Sequence, residues 1–402
     1  MADPTIRSDR ASISPDCEFG ENVEIEADEI EIGPGCRIGF SGDDDFRTPA
    51  GVRIRAERLQ LGAGVEIGRA VRIEGGTIRL DERVRINRHA TIRVLDELHL
   101  GAYGTVGEGS EISGRLVEIG QHLWMLPNAK IGGGSAFERP SLLRAGHYLH
   151  LGVHTLVNTA RPVVIGHEVG LGTGTSIYTH GAYPSRLMGF PVAFAPVAIG
   201  DFTWVPGAII NPGVTIGRNC VIGVNSLVTR SIPDGALAAG SPAAVIKEAA
   251  YPRPLTPDGR HAFWLAFLEQ YADLLGSPAR PEDRVTDELV VLDVGACVYA
   301  GLAGGPDSAP RALAALGDLG DDRRIIVIGD GVLGPGAPVS WTRMDTDRRF
   351  IEGAADGLTE RLANELRRHG IRFYSRPVGE AYATWEPDPP RFVGPMAEAP
   401  SS

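Results

Sequence analysis

The sequence has no run of about 18 uninterrupted apolar residues, so a membrane-spanning helix is not expected. Its opening, MADPTIRSDRASISPD, carries no apolar core of a secretory leader. Aromatic residues make up only 6% of the chain, against 52 glycines and 29 prolines, a balance that favours frequent tight turns over long helices. Four cysteines, Cys17, Cys36, Cys220 and Cys297, fall without CxxC or other metal spacing. That pattern argues for reduced, mostly buried thiols and against a disulfide framework or a zinc site. Positive charge is also short. Lysine and arginine number 39 against 51 carboxylates, a net charge of -12, which disfavours nucleic acid and anionic membranes as partners. The expectation is a cytoplasmic globular protein, neither inserted in a membrane nor bound to nucleic acid, and at 402 residues built from two or more folded units.

What the chain does have is a metre. Aliphatic residues recur every six positions through most of the first 247 residues: Ile32 and Ile38; Leu61, Ile67 and Ile73; Leu80, Ile86 and Ile92; Val106 and Ile112; Ile119, Met125 and Ile131. The later matches are Ile165, Leu171 and Ile177, then Ile210, Ile216, Ile222 and Val228. A period of six fits neither a helix nor an isolated alternating strand. It fits short strands on the sides of a coil, one inward aliphatic per side, with a following glycine at the turn where positive φ is cheap. Three such steps, roughly 18 residues, would close one turn of a parallel β-helix. Residues 39–51 and 132–143 read as loops thrown out of the stack, and 181–196 as a third and longer one. The step from Val205 to Ile210 is one residue short of the period.

Residues 1–145 and 146–250 therefore form two stretches of β-helical repeat, and 251–288 a helix and linker. The helix should start with Asp258 as N-cap, carry Trp264, Phe267, Leu268, Tyr271 and Leu275 on one face, stop at Gly276, and pack on the coils or on a neighbouring subunit. Residues 289–385 alternate strand-like and helical segments, the latter around 309–317 and 357–369, as in a small α/β domain. GDGVLG at 329–334 is followed by PGAP rather than a helix start, so it reads as a turn. Residues 386–402 read as a disordered tail.

The stretch VVIGHEVGLGTGTSIYTHG, followed by VAIGDFTWVPGAIINPGVTIGRNCVIGVNSLVTRSIPDGALAAGSPAAVIK, resembles the hexapeptide-repeat acyltransferases, including the galactoside and maltose O-acetyltransferases and the xenobiotic acetyltransferases. The close resemblance covers about a fifth of the chain. It implies a left-handed parallel β-helix, assembly as a homotrimer, and transfer of an acetyl group from acetyl-CoA to a hydroxyl or amine of a sugar or natural-product acceptor, without a metal. In that family a histidine emerges just before a loop interrupting the coils, and His180 stands there. Acyl transfer to an alcohol or amine must release a proton, and imidazole titrates near working pH, so His180 is the expected general base. Asn158 resembles the family's acceptor-contacting asparagine, with Tyr178, Tyr183 and Arg186 as further acceptor candidates. For CoA the candidates are Trp204 as an apolar wall, Ser226 as a small polar contact, and Gly240, Ser241, Pro242 and Ala243 in the closing segment. That segment has Ala244 where the family commonly has lysine, so phosphate neutralisation falls to Lys247, Arg230 or Arg253. Two rival readings remain at this level. His147, His150, His154, His167 and His180 suggest a metalloenzyme resembling the γ-class carbonic anhydrases, and a β-helix can also serve as a non-catalytic scaffold.

Overall fold

The computed structural model describes residues 4–40, 51–284, 288–295, 297–317, 323–333, 341–346, 348–353 and 356–374. The expected tail at 386–402 lies outside them, as does most of the loop at 39–51. The chain divides into two compact units, Met1–Pro252 and Arg253–Glu386.

The first unit is a parallel β-helix, and the hexads are its core. Every aliphatic residue of the six-residue series is buried in one continuous cluster running from Val23 to Ala238. Side chains alternate along most of the sides, as in Val23–Ile32, where Val23, Ile25, Ile30 and Ile32 point in and Glu24, Glu26 and Glu31 point out. The outward rows pair across coils, Glu24 with Arg53 at 3.0 Å and Glu66 with Arg85 at 2.8 Å, so the surface is polar and the interior is not. The stack is unbroken between the two repeat stretches: Trp124 pairs in register with His150, and Leu143 with Val163.

The first coils are longer than the 18 residues that the period predicts. Glu66 and Arg85, which stack, are 19 apart, whereas Thr203 and Cys220 near the other end are 17 apart. The extra residues sit at one corner. Thr91–Leu100 is a single strand serving two sides, and its pairing with both neighbours slips between Val94 and Glu97. Gly75 makes that corner possible, because a Cβ there would lie 2.3 Å from the carbonyl oxygen of Val94.

Most glycines after an inward aliphatic, such as Gly62, Gly101 and Gly120, are not at positive φ, contrary to the sequence expectation; Gly39 and Gly132, at φ 90 and 114, are the exceptions among the described residues of the series. Their function is close approach: a Cβ on Gly62 would meet the backbone nitrogen of Glu82 at 2.5 Å. The left-handed residue comes two positions later and is a glycine at some corners, as in Gly64 after Gly62, but carries a side chain at others, as in Tyr103 after Gly101, His122 after Gly120, Tyr148 after Gly146 and Asn219 after Gly217. At these corners stacking accompanies the strain: the rings of Tyr103, His122 and Tyr148 pile up at centroid distances of 5.3 and 4.4 Å.

The short step from Val205 to Ile210 keeps both residues fully buried. Its tightened corner is held from the coil before it, where the Thr175 hydroxyl donates to the Val205 carbonyl at 2.9 Å and accepts from the Gly207 N–H at 3.0 Å. The last parallel strand, Leu237–Gly240, turns back as the antiparallel strand Ala243–Lys247.

The second unit is a six-stranded sheet whose three central strands, Cys297–Leu302, Arg324–Gly329 and Thr342–Asp345, run parallel. Helices α1 (Pro257–Leu274) and α3 (Gly357–Arg368) pack on one face and α2 (Ala309–Gly317) on the other. Alternation sorts the strands accordingly: Tyr299 and Ile326 face α1, Val298 and Ile325 face α2. Helix α1 corrects two expectations. Its N-cap is Thr256, whose hydroxyl accepts from the Gly259 N–H, with Pro257 at the first helical position and Asp258 within the first turn. Its apolar face, with Trp264, Phe267 and Tyr271, belongs to the core of this second unit, not to the coils or to a neighbouring subunit. No helix among the described residues is long and apolar enough to cross a membrane.

Candidate active site

The coils break after Ile177. The chain leaves the stack at Tyr178, passes His180, and returns at Val197, and the two legs of the excursion pair as antiparallel strands, His180 opposite Phe194 and Gly181 opposite Ala193. His180 is thus fixed at the root of the loop rather than at its tip.

Asn158 lies on the preceding coil, 4% exposed. Its side-chain oxygen accepts from the Ala160 backbone N–H at 3.2 Å and from the Thr179 hydroxyl at 2.8 Å, and lies 3.0 Å from Nδ1 of His180. A backbone N–H can only donate, so the amide orientation is settled by Ala160. An amide oxygen can only accept, so Nδ1 of His180 carries a proton, and in the neutral imidazole the lone pair is on Nε2. Thr179 completes the arrangement, its hydroxyl accepting from the Arg161 N–H at 3.1 Å. Nε2 points toward Gly134 in the loop of residues 132–143, where a Cβ would stand 3.5 Å from it. Phe194 stacks on the imidazole at 5.6 Å between centroids, and the Arg161 guanidinium lies 4.6 Å from the Phe194 centroid, with Glu138 3.8 Å from that guanidinium.

The other candidates are placed differently. Asn158 meets His180 and not open space. Tyr178 is exposed at the foot of the loop, Tyr183 is fully exposed, and Arg186 opens an exposed 3-10 turn, Arg186–Met188. Trp204 projects from the side of a coil, over half exposed, with Gly170 of the coil before it leaving room for the indole. Ser226 is 2% exposed, and its hydroxyl donates to the Gly223 carbonyl and accepts from the Gly240 N–H, tying the final hairpin to the coil. Gly240, Ser241, Pro242 and Ala243 form the tight turn of that hairpin, with a cis bond before Pro242, and Lys247 ends it exposed. Sequence reasoning missed Thr179, Arg161, Phe194 and the glycine pair Gly133 and Gly134; of these only Thr179, adjacent to His180, carried a local signal.

The histidine-rich stretch has a structural use. Nδ1 of His147 accepts from the Gln121 N–H at 2.9 Å, and Nδ1 of His167 accepts from the His147 N–H at 3.0 Å. Asp201 continues the same ladder by accepting from the His167 N–H at 2.7 Å. Burial, and then the neighbouring His167, push His147 down to about 4. No group of three or more His, Cys, Asp or Glu side chains placed to share a cation occurs among the described residues.

No family model matches the chain. The chain is similar to the galactoside O-acetyltransferase of Escherichia coli strain K12, 32% identical over 129 residues, which covers 30% of this chain and 64% of that enzyme. It thus spans just under two thirds of that enzyme's length. It is also similar to nodulation protein L of Rhizobium meliloti strain 1021, 36% identical over 125 residues, 29% of this chain and 68% of that protein. Among solved structures, a galactoside acetyltransferase in complex with coenzyme A is 27% identical, with 33% of this chain and 66% of that one covered at a TM-score of 0.27. With its hexad core, its histidine at the break in the coils and these relatives, the chain belongs to the hexapeptide-repeat acetyltransferase family.

Proposed function

We propose that the protein transfers an acetyl group from acetyl-CoA to a hydroxyl, or an amine, of a sugar or natural-product acceptor. The observation that carries this reading is the His180 tautomer: Asn158, oriented by the Ala160 N–H, leaves Nε2 as a free base at the break in the coils. In the reaction, Nε2 takes the acceptor proton as the acceptor oxygen or nitrogen attacks the thioester carbonyl carbon. The tetrahedral oxyanion is held by backbone N–H donors. The C–S bond then breaks, and the departing thiolate of CoA takes the proton back from the imidazolium.

Direct transfer fits the cysteines. Cys36 and Cys220 are fully buried, and burial pushes the Cys36 thiol up to about 11, so neither offers a thiolate for a covalent acyl-enzyme. Four free cysteines also suit a reducing compartment such as the cytoplasm.

The donor would lie along the outward side that carries Trp204, toward the Gly240–Ala243 turn. Pantetheine is an extended diamide that coil-edge backbone can hydrogen-bond, and Lys247 or Arg230 would neutralise phosphate near the hairpin. Exposed apolar residues on successive late coils, Ile209, Val224 and Ile246, support a homotrimer in which this groove lies between subunits. The deciding experiment incubates the protein with acetyl-CoA and a panel of sugars, amino sugars and aminoglycosides, read by product mass. Absence of any acetylated product together with absence of CoA binding would sink the proposal.

A further inference from the structure

The loop of residues 132–143 leaves the stack through three successive glycines, and two of them are required by the fold. Gly132 and Gly133 sit at φ 114 and 121. A Cβ on the first would collide with Ser113, and one on the second would come within 2.8 Å of the Asn158 side-chain nitrogen. Gly134 differs. It is exposed and not at positive φ, and among the described residues the only atoms within 4 Å of an added Cβ are Nε2 and Cε1 of His180, at 3.5 and 3.6 Å. A methyl group there would make ordinary contact, so neither backbone conformation nor packing calls for glycine at this position.

The loop is tied down around its tip. The Arg93 guanidinium lies 5.0 Å from the Phe137 ring centroid, Glu138 stands 3.8 Å from Arg161, and the Ser141 hydroxyl donates to the Thr159 hydroxyl at 3.3 Å. Across the gap the imidazole is held as well, with Nδ1 against Asn158 and Phe194 stacked on one face. The edge carrying Nε2 and Cε1 is the part that Gly134 faces.

We propose, on the acetyl-transfer reading, that Gly134 is a specificity-determining residue of the acceptor site. By carrying no side chain it leaves room beside Nε2 for the carbon that bears the attacking oxygen or nitrogen. A base must come within about 2.6 to 3.2 Å of the atom it deprotonates. A methyl on Gly134 would crowd that atom and, more severely, the carbon behind it, so the bulk tolerated at the reacting carbon is set here.

The test compares the full chain with Gly134→Ala. Transfer to the sugars, amino sugars or aminoglycosides that the unaltered protein acetylates should fall by about tenfold or more in kcat/KM. The loss should grow with the bulk around the acetylated group, while KM for acetyl-CoA and the melting temperature stay unchanged. A readout without any acceptor separates failure of this proposal from failure of the acetyl-transfer reading. Diethyl pyrocarbonate should carbethoxylate Nε2 of His180 in the unaltered protein and several-fold more slowly in Gly134→Ala, measured by peptide mass with the exposed His89 as internal reference. If the unaltered protein acetylates nothing, the acetyl-transfer reading fails, and the labelling alone decides whether Gly134 controls access to Nε2. Equal labelling rates, an unchanged kcat/KM, or a loss equal for slim and bulky acceptors would overturn the proposal. So would an unfolded Gly134→Ala, because the glycine would then serve the fold.

Discussion

The side-chain oxygen of Asn158 and Nδ1 of His180 lie 3.0 Å apart although 22 residues separate them in sequence. One turn of the β-helix brings them together, so the geometry of the proposed base depends on coil stacking. Replacing His180 by alanine should lower kcat/KM by about 100- to 10,000-fold, with the fold and CoA affinity retained. Steady-state kinetics beside a thermal shift with CoA decides it; activity near the native level would remove His180 from the mechanism.

Asn158→Ala leaves the imidazole free to rotate and to take the other tautomer. Since Asn158 is 4% exposed and bonded only within the protein, the loss should appear in kcat, by about tenfold or more, with KM for the acceptor little changed. A rise in KM with kcat intact would show that Asn158 instead contacts the acceptor, as the family resemblance implied.

The His147 ladder makes stability depend on pH. Its Nδ1 must stay unprotonated to accept the Gln121 N–H, and its folded value of about 4 lies below the ordinary 6.5. Between those values the unfolded chain binds the proton and the folded chain does not, so stability is full above about 6.5 and falls as pH drops toward 4. The loss is on the order of 3 kcal/mol. Denaturant melts of the native protein and His147→Gln across that window should converge toward low pH; a constant difference would refute the assignment.

At the tightened corner, Thr175→Val keeps the shape and removes both hydroxyl bonds, leaving the half-buried Gly207 N–H without that partner. A cost of about 1 to 3 kcal/mol is expected, measured by urea unfolding. For comparison, Ile222→Ala in the hexad core should cost about 2 to 5 kcal/mol. An unaffected Thr175→Val would mean that the short step closes by backbone alone.

The hexads were legible because an inward position on a coil side tolerates only an aliphatic residue, and each such residue, from Ile32 to Val228, is buried. The coil length was not, because the added residues sit at a corner between Val94 and Glu97, where nothing in a six-residue count marks a bulge. His180 was legible as the residue at the break. Asn158's contact with it, Phe194 on its face and Gly134 before its Nε2 were not, since each is set by which residues stack one coil or one loop apart. The cap of α1 went to Thr256 because Pro257 suits the first helical position, where its missing N–H costs nothing, and this moved the start two residues upstream of Asp258.

A parallel stack has a hazard: each end presents a template on which another chain's coil could dock, and repetition of that event makes a fibre. The hairpin from Leu237 to Lys247 answers it at one end. Its outer strand runs against the direction of every strand beneath it, so an incoming parallel coil finds the wrong polarity. The same eleven-residue hairpin that Ser226 fastens to the coil therefore ends this side of the solenoid with a strand of opposite polarity.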